Sequence, residues 1–400
     1  MEPTPIFYIA MIGDSLTDRG TLNNRYLFGC IPMSLLSGLR GLSPGDSFTN
    51  GLPWSDHLIA ALANEFSLKK ISREKSMDAA DLADAIITHD ASIYPAVNNF
   101  YDLKNDKSAD YNGQNFVRTY SEGGLTAYDY SWWPSKSISR FFSRLILSTL
   151  EKKRKELFAY DQSHHLSKKQ KAHTLIIEWS GANDLITVNE KPSKPEVDRA
   201  IKARIKNLTE LIKNGYRHFV LFNLPDLSLT PRYQNKEDPE RENARACSYY
   251  FNNQLELACK NLKEQYPYCS IDIFDANKEF TNMYHHPEKY YLEKAKKNLA
   301  YTKSADFKIL PNGTSPAKGY MFWDDVHPTA DVHALLAYKF CELYRNKFNF
   351  LPPPPYGLHR AHAKLRQRST SQSNLFSAQT QNKEDYSDNN AKLAKRIIKK

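Results

Sequence analysis

Four short stretches of this 400-residue chain carry side chains suited to acyl transfer. Gly13-Asp14-Ser15-Leu16 follows an apolar run at residues 6–12 (IFYIAMI). A serine there would end a strand, with its hydroxyl at the carboxyl edge of a sheet and the N–H groups of a helix start beside it. By itself the tetrapeptide is also ordinary turn chemistry. Asp324-Asp325-Val326-His327-Pro328 supplies what a serine nucleophile needs, a base and a carboxylate to orient that base. Asp324 and His327, three residues apart, can meet on one turn. One imidazole nitrogen would then hold the carboxylate while the other faces Ser15. Asp325 is the competing orienter, but it faces differently. Pro328-Thr329-Ala330 also reads as a helix opening.

The other two stretches could hold the negative charge that forms on an attacked carbonyl oxygen. Gly181-Ala182-Asn183-Asp184 follows the run TLIIEW at 174–179, so the Asn183 amide could reach the same crevice as Ser15. Gly123-Gly124 offers a backbone N–H with no side chain in the way. Each stretch alone is turn chemistry. With the N–H of Ser15 they would make a three-donor hole from Ser15, Gly124 and Asn183, with Gly123 the alternative to Gly124. The pairs His164-His165 and His285-His286 diverge on a helix and make poor metal clamps. Asp14 and Asp18, one turn apart, read as structural. No metal and no cofactor is expected.

Positioning these residues requires strands that alternate with helices. Residues 6–12, 174–179, 218–224 and 270–274 read as short buried strands. Helical periodicity marks 137–158, 197–214, 240–265 and 330–347, with Gly215 as the cap of the second. Strands alternating with helices predict a parallel sheet in a three-layer α/β/α sandwich. The expected organisation is a hydrolase domain over 1–350. Within it, the polar stretch 67–118 reads as an irregular insertion or long active-site loops. Residues 351–400 begin LPPPP and read as a stiff spacer followed by a disordered basic tail. The aromatic stretch at 128–134 (YDYSWWP) could line an acyl groove, sit at a lipid interface or belong to the core.

Composition sets the remaining bounds. Hydrophobic residues make up 41% and charged residues 25%, a balance that supports a sizeable core. Net charge is +10, which favours anionic surfaces such as phospholipid headgroups. Nucleic-acid motifs such as a zinc knuckle are absent, so nucleic acid is not an expected partner. Five cysteines without a C-x-x-C point to reduced thiols, a single Cys259–Cys269 bond being the alternative. No basic leader precedes 6–12, and no run approaches roughly 20 apolar residues. The expected location is therefore cytoplasmic, or outside by a route without a signal peptide, with any membrane contact peripheral. Oligomeric state is not readable.

The four blocks in this order resemble the GDSL (SGNH) esterases and lipases, whose blocks supply Ser, Gly, Asn and His. The matching positions are Ser15, Gly124 (or Gly123), Asn183 and His327, with Asp324 at the family's Asp position. GDSLTDRG at 13–20, NLPDLSLTP at 223–231 and FWDDVHPTADVH at 322–333 are similar to the bacterial phospholipase and lysophospholipase branch, which includes glycerophospholipid:cholesterol acyltransferases. The resemblance spans roughly residues 6–347. It implies an ester hydrolase acting on lipid through an acyl-Ser15 intermediate, with acyltransfer to an alcohol as a variant. A carbohydrate or small-molecule esterase with the same site, and a catalytically idle basic membrane-binding module, are the alternatives. Ser121-Glu122 departs from the small apolar residues usual before the glycines, which leaves open which glycine N–H points inward.

Overall fold

The apolar runs become strands that pair in parallel. The computed structural model describes residues 2–354 except 28, 38, 40, 44, 94–100, 104, 136 and 190. Among these, one sheet holds seven strands: β1 (Tyr8–Gly13), β2 (Tyr101–Asp102), β3 (Ser108–Tyr111), β4 (Gln114–Thr119), β5 (Thr174–Trp179), β6 (His218–Phe222) and β7 (Ser270–Phe274), in the order β7-β6-β5-β1-β4-β3-β2. Pairing is parallel from β7 through β4, and β3 and β2 add an antiparallel edge. Ile9 pairs with Val117 on one side and Leu175 on the other. The first apolar run is divided at Phe7, whose N–H donates to the His173 carbonyl. The residues before it, Thr4–Ile6, pair instead with Phe348–Phe350.

Strand alternation sorts β1 between two cores. Ile9 and Met11 pack with Trp54, Leu58, Phe222 and Phe340 on one face, and Ala10 and Ile12 pack with Leu157, Leu208, Leu221 and Phe251 on the other. The first face is covered by α1 (Trp54–Lys75), α8 (Ala276–His285) and α9 (Ala330–Tyr344), and the second by α4 (Leu150–Ser163), α6 (Lys194–Asn214) and α7 (Asp238–Gln265). This is the three-layer α/β/α arrangement. Helix α6 ends as predicted at Gly215, in the left-handed region with φ 113°. The five cysteines are free thiols. Among the described residues, no helix is long and apolar enough to cross a membrane.

Two stretches depart from expectation. Residues 67–118 are more regular than their composition predicts. They hold the end of α1, helix α2 (Ala79–Ile87, capped by Asp78) and strands β2 to β4. Strand β4 breaks the apolar-run pattern because its centre mixes Asn115 and Arg118 with Phe116 and Val117, and Arg118 is buried over the Tyr160 ring and against Asp161. The helix predicted over 137–158 is two helices, α3 (Ile138–Ile146) and α4. Between them Ser148 and Leu150 exchange backbone hydrogen bonds with Thr126, and the Thr149 hydroxyl caps α4. The expected spacer and tail fall, beyond Pro354, outside the described residues.

Beneath the sheet's carboxyl edge lies a buried ion pair. Arg204 donates from Nε to Glu178 Oε2 at 2.7 Å and from Nη2 to the Phe222 carbonyl at 2.9 Å. Both side chains are essentially inaccessible. Replacing one partner strands the other's charge. Arg204→Met is expected to destabilise the fold by roughly 3–5 kcal/mol, and Glu178→Gln in the same chain should recover part of the loss in thermal melting.

Candidate active site

Strands β4, β1 and β5 are neighbours, so the turns that follow them meet at one edge of the sheet. The turn after β1 carries Ser15, the turn after β4 carries Gly123 and Gly124, and the turn after β5 leads into α5 (Ala182–Ile186), which carries Asn183. The loop before α9 brings Asp324 and His327 to the same place. His327 Nε2 lies 2.8 Å from Ser15 Oγ, and His327 Nδ1 lies 2.7 Å from Asp324 Oδ2. The other oxygen of Asp324 accepts the backbone N–H groups of Val326 (2.8 Å) and His327 (2.7 Å). Burial alone would raise the Asp324 carboxyl, but the imidazole and these donors outweigh it and hold it below the usual carboxylate range. A carboxylate that stays charged fixes the ring, and the fixed ring can take a proton from the serine as it attacks a carbonyl. Asp325 points elsewhere. Its carboxylate pairs with Lys303, and its carbonyl accepts the Arg232 N–H. The Phe48 ring packs on the His327 ring with centroids 4.9 Å apart.

The oxyanion candidates are held just as firmly. Asn183 donates from Nδ2 to the Leu125 carbonyl at 3.1 Å and accepts the Thr187 hydroxyl on Oδ1 at 2.6 Å. Those partners fix which end of the amide is nitrogen and leave its second hydrogen for a ligand. The Gly123 N–H is already engaged, donating to Asp18 Oδ2 at 2.7 Å. Gly124 adopts φ +77°, and a side chain there would strike Leu147, so the turn requires glycine. Among the described residues no hydrogen bond occupies the N–H of Gly124 or of Ser15. Glu122, the family departure, is buried between Arg25 and Lys153 and acts as a structural counter-charge behind the glycines.

Three buried carboxylates around the site went unassigned or underrated in the sequence. Asp18 accepts N–H groups from Gly20, Thr21, Leu22 and Gly123. Asp184 accepts from Ala127 and Tyr128. Among the described residues Asp14 accepts only from Leu16, and its second oxygen is buried without a partner. The only advance signal was the density of Asp beside Gly in each turn. His333, whose Nδ1 accepts the Trp54 N–H, is driven down to about 3 by burial and stays neutral. No group of three or more His, Cys, Asp or Glu suited to a metal occurs among the described residues.

Ser15, Asn183 and His327 line one cleft, whose other walls are largely apolar: Leu224, Leu227, Leu229, Phe280, Met321 and Phe322 among them. The segment 224–230 therefore forms a wall of the site. Trp132 and Trp133 do not line it, and neither belongs to the core, being 89% and 36% exposed.

Burial raises Asp14 to about 7, against the pull of the Leu16 N–H and the His327 charge. Between about pH 4 and pH 7 the folded chain thus binds a proton at Asp14 that the unfolded chain lacks, so this group lowers stability as pH rises. Asp14→Asn removes that titration. Its melting temperature relative to the unaltered chain should climb across this interval, and a constant difference in calorimetry would contradict the assignment.

Residues 9–340 match the family described as GDSL-like Lipase/Acylhydrolase. The phosphatidylcholine-sterol acyltransferase of Aeromonas hydrophila is 25% identical over 281 residues, which cover 59% of this chain and 76% of that protein. The secreted effector protein SseJ of Salmonella typhimurium is 27% identical over 225 residues, 54% of this chain and 48% of SseJ. The thermolabile hemolysin of Vibrio parahaemolyticus is 26% identical over 183 residues, 44% and 42% of the two chains. The alignments thus take in less than half of the latter two relatives. A solved structure of a single-residue variant of Axe2, an acetyl xylan esterase from Geobacillus stearothermophilus, aligns with 87% of this chain and 99% of its own at 12% identity and a TM-score of 0.36. Running from within β1 before Ser15 to within α9 after His327, the matched region makes this chain a member of the GDSL-like lipase/acylhydrolase family.

Proposed function

We propose that this chain hydrolyses carboxylic esters of lipids, phospholipids or lysophospholipids, through an acyl-Ser15 intermediate. The observation that carries the reading is the Asp324–His327–Ser15 chain of hydrogen bonds set in an apolar-walled cleft. Ser15 Oγ attacks the acyl carbonyl while His327 Nε2 takes its proton. The developing oxyanion is held by the N–H groups of Ser15 and Gly124 and the amide of Asn183. His327 then protonates the departing alcohol. Water, deprotonated by the same imidazole, releases the fatty acid and returns the proton to Ser15. The scheme calls for no metal or cofactor.

The apolar walls favour an acyl chain over a sugar acetate, which would want hydroxyl partners there. Acyltransfer is a second reading, supported by the likeness to a phosphatidylcholine-sterol acyltransferase. In that reading an acceptor alcohol takes the place of water. The chain's net charge of +10 suits an anionic membrane as the place of action.

Purified protein should release fatty acid from phospholipid or lysophospholipid faster than acetate from acetylated sugars. Ser15→Ala should lower the rate by on the order of 10⁴ or more with little change in melting. Activity confined to acetylated sugars would overturn the lipid reading, and a variant retaining a tenth of the rate would overturn the nucleophile.

The carboxylates and the amide are separable by kinetics. Asp324→Asn should cost on the order of 10⁴ in kcat, while Asp325→Asn should stay within a few-fold. Asn183→Ala should lose about 10²–10³ in kcat with KM little changed. Equal losses at the two aspartates, or a pure KM effect at Asn183, would sink these roles.

A further inference from the structure

Helix α3 is built inside out. Its apolar side chains Ile138, Phe141, Phe142 and Leu145, at the i, i+3, i+4, i+7 spacing of a core stripe, are 77%, 39%, 56% and 41% exposed. Its buried residue is a cation. Arg144 donates to the carbonyls of Val188 (3.0 Å), Trp133 (3.1 Å) and Pro134 (2.8 Å) and to Asn189 Oδ1 (2.8 Å). Those bonds hold Trp132 and Trp133 beside the helix. The stripe and the two tryptophans set six large apolar side chains in water on one short segment. Patches of this kind mark interaction sites.

The place of the patch is tied to the active site through the last turn of the helix. Arg144 binds the segment after α5, next to Ile186 and Thr187 of the cleft, and Asn189 in turn donates to the Asp184 carbonyl. Three residues on, Leu147 packs on Gly124. The helix is thus fastened to both loops that carry candidate oxyanion donors.

The charge pattern identifies the occupant. Between Asp129 and Glu151 the segment has no Asp or Glu, and it carries Lys136 and Arg140 besides the buried Arg144. An exposed apolar helix face without an acid among its residues, with tryptophan beside it, has the composition of a segment lying in a lipid interface. Six side chains are also far fewer than the roughly 20–30 residues a side of a stable protein interface. We propose that α3, with Trp132, is the surface by which this chain seats itself on anionic phospholipid, placing the rim of the Ser15 cleft at the lipid. The proposal rests on the lipid-ester reading for its purpose, but binding can be measured without turnover.

The test uses the full chain and its Phe141→Ser/Phe142→Ser variant, sedimented with phosphatidylcholine vesicles containing or lacking phosphatidylserine. The unaltered chain should bind the phosphatidylserine vesicles better, and less so at high salt. The double variant should lose on the order of tenfold or more in binding. It should keep its hydrolysis of a soluble short-chain ester, which shows that it is folded. Unchanged sedimentation of the double variant would overturn the proposal. So would a dimer in sedimentation velocity that the double variant abolishes, which would assign the face to a second copy. Vesicle binding without phospholipid hydrolysis would sink the substrate reading and leave docking intact. Hydrolysis of phospholipid in detergent micelles, with variant and unaltered chain binding vesicles equally, would do the reverse.

Discussion

Strand β1 has no free edge and no free face. Parallel neighbours take its hydrogen bonds on both sides, and helices cover it above and below. A polar residue can leave this environment only at the strand's end, and that is where Asp14, Ser15 and Asp18 stand. The same constraint acts on β4 and β5, whose ends lie alongside. The glycine turn, the serine turn and the asparagine turn are therefore neighbours because their strands are. The chemistry of the site follows from the order of strands in the sheet.

Neighbouring turns still need to be fixed relative to one another, and buried carboxylates do that. Asp18 joins the serine turn to the glycine turn through Gly123, and Asp184 joins the asparagine turn to Ala127 and Tyr128. Burial pushes these acids up, to about 6 for Asp18 and about 7 for Asp184. Dipoles held in place before the reaction need no reorganisation when charge develops, which is how such a site lowers a barrier. Stability surrendered at buried acids is the cost of that rigidity.

Much of this was legible in the sequence for a physical reason. A strand buried on both faces must be apolar throughout, so β1, β5, β6 and β7 announce themselves as short runs between helical periods. Residues that must stand at strand ends, such as Ser15 and Asn183, are then located by the runs that precede them. Strand β4 was hidden because Asn115 and Arg118 interrupt it, and Arg118 is compensated by Asp161 and Tyr160, partners distant in sequence. The fate of α3 was hidden for the opposite reason. Its stripe at Ile138, Phe141, Phe142 and Leu145 is that of a core helix, and periodicity cannot say whether a stripe faces protein or solvent. That the Gly123 N–H is engaged depends on Asp18, 105 residues earlier in the chain, which no local pattern reveals.

The hydrogen bond between Ser15 and His327 joins residues 312 positions apart, and Thr4–Ile6 pairs with Phe348–Phe350. During synthesis Ser15 therefore emerges first and His327 among the last residues of the fold. A nascent or prematurely ended chain holds Ser15, both glycines and Asn183, yet lacks the imidazole that faces the serine. Such long-range closure is slow to form. It also means that an unfinished chain carries the serine without the imidazole and carboxylate that face it, so the hydrogen-bonded chain of three exists only once the fold has closed.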